Sequence, residues 1–130
     1  MATAVYNPHY LAGIEAFNRQ AYFHSHDLWE AFWTAEGRPT MGFAKGLIQV
    51  AVAMHHLSRG NRRGFEKLWA SCQEQFAGLG PRHLGIEVPK LVAQMKRCYE
   101  SSDASGDPPW AAAMAPQIAL TADADAGAGE

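Results

Sequence analysis

The sequence predicts an all-α fold: a compact single-domain bundle of about five helices, with a central buried helix at residues 40–58 and an extended C-terminal strap. Three observations carry this expectation. Apolar residues recur at three- and four-residue spacing in successive segments. Caps and breakers separate those segments. No stretch shows the β-branched, period-two alternation of a strand. By this reading residues 8–101 form the helical domain, 102–120 a docked strap and 121–130 a mobile tail.

Asn7-Pro8 opens the first helix, with Asn at the N-cap and Pro at the first helical position, where its missing N–H costs nothing. Leu11, Ile14 and Phe17 continue it to about Arg19. A second helix from about Ala21 to Thr34 carries Phe23, Leu28, Trp29, Phe32 and Trp33, and Gly37 and Pro39 mark its end. The third has Phe43, Leu47, Val50, Met54 and Leu57 on one face and Ala44, Ile48, Ala51 and Val52 on another, as expected of a helix buried on several sides. Gly42, Gly46 and Ala53 share a further face with Gln49 and His56. Glycine inside a helix costs about 1 kcal/mol relative to Ala, so two on one face predict a neighbour packed very close.

Gly60 suits the left-handed position after a helix and Asn61 an N-cap, so the third and fourth helices form an αα-hairpin. The fourth, Arg62 to Ala77, presents Phe65, Leu68, Trp69, Cys72 and Phe76 as one stripe, and its other positions are mostly polar. Gly78 to Pro89 reads as a loop. The fifth helix runs from about Val88 to Ser101 through Leu91, Val92, Met95, Cys98 and Tyr99. From Ser101 onward Ser, Asp, Gly, Pro and Ala dominate, but Trp110, Met114, Ile118 and Leu120 favour docking on the helices over pure disorder. Cys72 and Cys98 lie on apolar stripes without metal-ligand spacing and are expected as reduced, buried thiols.

A net charge of −2 and the absence of a broad basic face argue against nucleic acid as a partner, although Arg59, Arg62 and Arg63 flank a helix start that suits an anion. Leu47 to Met54 is too short to span a membrane, and MATAVYNPHY lacks the features of a secretory signal, so a cytoplasmic location is expected.

Chemistry concentrates on the second helix, where His26, Glu30 and Trp33 at i, i+4 and i+7 share one face. Such an imidazole and carboxylate can hold a divalent metal together. They can equally form a general-base pair in a ligand pocket, or a polar cluster that joins two helices. One helix offers too few ligands for a catalytic metal. The suppliers on the central helix are Gln49, His55 and His56, of which Gln49 and His56 lie beside the glycines and would approach His26 if that face meets the second helix. His24 points elsewhere, and His9 and His83 sit at a helix start and in the loop. The aromatic set Trp29, Phe32, Trp33 and Trp69 reads as core.

FNRQAYFHSHDLWEAFW and GLIQVAVAMHHLSRGNRRGFEKLW resemble the two blocks of the family called domain of unknown function 309, whose HxxxExxW/Y motif is matched by His26, Glu30 and Trp33. The resemblance is close from about Tyr10 to Ala77 and looser at PQIAL. It implies a compact helical fold of bacterial and archaeal proteins, no established activity, and a motif suggested to bind metal. Asp27 stands where Glu is commoner, and Phe65 where a small residue is more usual. His26, Glu30, Trp33, Gln49 and His56 are therefore the candidate ligand-binding residues, with His26 and Glu30 the candidate ligands of a divalent metal. The competing expectation is a non-catalytic interaction module, with a homodimer as one form of it.

Overall fold

Asn7 begins α1 (Pro8–Asn18) as an N-cap, its side chain accepting the His9 N–H at 2.7 Å. The computed structural model describes residues 6–36, 41–102 and 114–120. After α1 come α2 (Tyr22–Glu36), α3 (Met41–Ser58), α4 (Arg62–Phe76), two short strands, β1 (Arg82–His83) and β2 (Ile86–Glu87), and α5 (Val88–Ser101). The predicted all-α architecture is the one found, with helix ends within two residues of expectation. Gly37, Pro39, Trp110 and residues 121–130, on which sequence expectations were placed, lie outside the described residues.

The α1–α2 and α3–α4 turns share one construction. Ala21 N–H reaches Ala16 C=O at 2.8 Å and Gln20 N–H reaches Phe17 C=O at 2.9 Å, which is a Schellman cap with Gln20 in the left-handed region at φ 65. Asn61 N–H to His56 C=O at 2.8 Å and Gly60 N–H to Leu57 C=O at 3.0 Å repeat the pattern, with Gly60 at φ 80. Asn61 then caps α4 by accepting the Gly64 N–H at 2.9 Å.

At the centre, α3 packs against both α2 and α4 and buries Phe43, Ala44, Leu47, Val50, Ala51, Ala53, Met54 and Leu57. A fully buried Leu, Val or Phe contributes about 1.5–3 kcal/mol, so this helix is the main source of hydrophobic stabilisation. The close approach expected at its glycines exists, but its partner is α4. A Cβ on Gly46 would lie 2.4 Å from the Phe76 ring, and one on Gly42 would lie 3.5 Å from the Gln75 carbonyl.

A tighter crossing joins α1 and α2. A Cβ at Gly13 would fall 2.3 Å from the Trp29 indole nitrogen. That N–H donates to Tyr10 C=O at 3.2 Å, and the buried Ser25 hydroxyl donates to Gly13 C=O at 2.9 Å.

The loop expected over Gly78–Pro89 contains a small hairpin, a correction to the strand-free reading. Arg82 pairs with Glu87 and His83 with Ile86. Leu84 (φ 47) and Gly85 (φ 83) both have positive φ, the signature of a type I′ turn. The Tyr10 hydroxyl donates to Leu84 C=O at 2.7 Å and ties this turn to α1.

Residues 114–120 lie against α1 and α5, with Ala115 and Ile118 buried. Asn18 holds Ile118 from both sides, donating to its C=O at 2.9 Å and accepting its N–H at 2.7 Å. Gln94 accepts the Gln117 N–H at 3.1 Å. Both cysteines are free and buried, and burial pushes each thiol up to about 12.

Candidate functional site

Side chains on α2 divide between two faces. Tyr22, Ser25, Trp29 and Phe32 are buried, whereas Phe23, Asp27 and Glu30 are exposed and His26 is intermediate. Helical spacing places Glu30 one turn beyond His26, and their Oε2 and Nε2 are 3.2 Å apart. Asp27 adds a second carboxylate, with Oδ1 3.3 Å from His26 Nδ1. That nitrogen is shielded from solvent yet has no hydrogen-bond partner. Asp27 is thus close in charge but not aligned to accept a proton from it.

An imidazole nitrogen of His26 and one oxygen each from Asp27 and Glu30 lie within 4.8 Å of one another. With metal–ligand bonds of about 2.0–2.2 Å, an N···O edge is about 2.9 Å in octahedral and about 3.4 Å in tetrahedral coordination. The 3.3 Å separation of His26 Nδ1 from Asp27 Oδ1 falls between these values. If Glu30 takes the Nε2 proton, as carboxylates do beside ligating imidazoles, Nδ1 carries a lone pair with the Asp27 carboxylate oxygen 3.3 Å away. Two electron-rich atoms at that distance repel unless a cation lies between them.

Phe23, 60% exposed, covers the outer edge of this group. Its ring stacks on His26 at 5.6 Å and packs on His55 of α3 at 5.5 Å. Burial, then the charges of Arg59, His56 and His26, hold the His55 imidazole below its ordinary value.

The other predicted residues are placed differently. Trp33 is half-buried against the core. His56 turns toward α4, where a Cβ at Gly64 would meet its ring at 2.9 Å and Asn61 Nδ2 lies 3.2 Å from its Nδ1. Gln49, on the same row as the glycines that face α4, has a buried Oε1 without a hydrogen-bond partner. It is therefore His55, from the opposite row of α3, that faces the motif. His24 is exposed, and His83 packs on Phe43 at 4.5 Å with burial lowering its pKa. Asp27 and Phe23 were missed as site members. Adjacency to the motif His was the available signal for Asp27, while nothing in the apolar pattern marks Phe23 as outward-facing.

Arg62 does not form an anion site. Its guanidinium lies 4.0 Å over the Tyr99 ring and donates to the Tyr99 carbonyl and the Ser102 hydroxyl. Phe65 stacks on Tyr99 at 4.9 Å and 10°. Two cavities of about 50 and 140 Å³ lie between α5 and residues 114–120, and neither is lined by the His26 group. Among the described residues no helix is long and apolar enough to cross a membrane.

No curated protein and no solved structure matches the chain. The model of one family, described as Domain of unknown function (DUF309), matches residues 10–72 and so spans α1 through most of α4, including Phe23, His26, Asp27, Glu30 and His55. Over residues 10–72, just under half of its length, the chain matches the DUF309 family.

Proposed function

We propose that the protein is a helical metal-binding domain whose divalent cation sits between His26 Nδ1 and the Asp27 carboxylate, with Glu30 orienting the imidazole. The observation that carries this reading is the shielded, unpartnered Nδ1 with a carboxylate oxygen 3.3 Å away. Mixed nitrogen and oxygen donors suit Zn²⁺, Mn²⁺ or Fe²⁺. Exposure of Asp27 and Glu30 leaves coordination positions open to water or a small ligand, which a catalytic role would need.

Metal analysis of protein purified without a His-tag tests the proposal, together with melting curves in Zn²⁺, Mn²⁺ and Fe²⁺. Stoichiometric metal and a raised Tm, both lost in Asp27→Asn, are the expected result. No bound metal and an unchanged Tm with all three ions would end the proposal. A second reading, a non-catalytic interaction module, rests on the exposed Phe23 ring. It predicts self-association or partner binding that Phe23→Ser abolishes and metal does not affect, measurable by sedimentation.

A further inference from the structure

We propose that His55 of α3 is a second imidazole ligand of this cation, so that the ion joins α2 to α3. The proposal rests on the metal reading above and adds the element it lacks, since α2 alone brings one imidazole. Phe23 packs on His26 at 5.6 Å and on His55 at 5.5 Å, which places both imidazoles against one ring. His55 stands outside the group of ligand atoms that lie within 4.8 Å of one another, so its ring turns toward the ion on binding.

His55 also differs from its neighbour. The His56 ring is engaged by Asn61 at 3.2 Å, whereas the His55 ring makes only ring contacts among the described residues. A half-buried imidazole without a hydrogen bond can turn toward an ion at little cost. Phe23, 60% exposed, can swing aside without opening the core. Two imidazoles and the Asp27 carboxylate would make three protein ligands with the fourth position open, the arrangement of a catalytic rather than a structural zinc site.

The test is a Zn²⁺ titration of the untagged full chain, followed through the imidazole ¹⁵N resonances. His26 and His55 are expected to shift together and saturate at one equivalent, while His9 and His24 stay fixed. His55→Ala should weaken Zn²⁺ at least tenfold, and His56→Ala should leave the affinity unchanged. If His26 shifts but His55 does not, and His55→Ala binds like the parent, this inference is overturned while the metal reading stands. If no imidazole shifts, both fall together.

Discussion

On its inner side α2 sends Trp29 and Ser25 into α1, where each donates a hydrogen bond to a backbone carbonyl and Gly13 leaves room for the indole. On its outer side the same helix presents Phe23, His26, Asp27 and Glu30, where one shielded ring nitrogen lacks a partner and both carboxylates face solvent. Ser25 and the Trp29 indole are satisfied and locked by packing. On the outer side His26 Nε2 has Glu30 at 3.2 Å, while Nδ1 has no partner. The first face is expected to carry stability, and the second to tolerate substitution.

Substitutions on the two faces should separate accordingly. Trp29→Ala empties a fully buried site and should cost about 3–5 kcal/mol in denaturant unfolding. Ser25→Ala removes the second hydrogen bond to the Gly13 carbonyl, for a loss of about 0.5–1.5 kcal/mol by the same measurement. In metal-free buffer, Glu30→Gln should change stability by less than about 0.5 kcal/mol, because ion pairs of exposed carboxylates contribute little. A loss above 1 kcal/mol there would make the motif a structural cluster and remove the contrast between the faces.

Acidification should produce a smaller change centred inside the fold. Burial holds the His83 imidazole below its ordinary value, so the unfolded chain takes up a proton first. Its contribution is present above about pH 6.5 and is lost as pH falls through the lowered folded value. The fall in Tm on acidification should be shallower in His83→Gln.

What the sequence made legible follows the physics of local signals. Asn7-Pro8, Gly60 and Asn61 act within their own turn, so their roles could be read directly. Gln20 occupies the same left-handed cap position as Gly60 but carries a side chain with no preference for it. Gln20→Gly should stabilise the protein by about 1 kcal/mol, provided the contacts of its side chain contribute less. Two-residue strands are too short to display alternation, which hid the hairpin, and Leu84 is not a residue that announces a type I′ turn.

At the candidate site, spacing grouped His26 with Glu30, because one helix determines that geometry. It could not say which helix meets the glycine face of α3. Periodicity defines a face, and the partner of that face depends on how the whole bundle closes. The glycines received Phe76 of α4, and with that His55 rather than His56 turned toward α2.

The paired hydrogen bonds between Asn18 and Ile118 connect positions 100 residues apart. Unlike the helices, which can begin from local contacts, this junction needs the end of α1 in place before the tail can settle, so it should form late in folding. The Ile118 amide proton then exchanges with solvent whenever the tail releases Asn18, without waiting for the bundle to open. Its exchange rate, set beside that of an amide within α3, would measure how often the protein loosens this closure while its core stays shut.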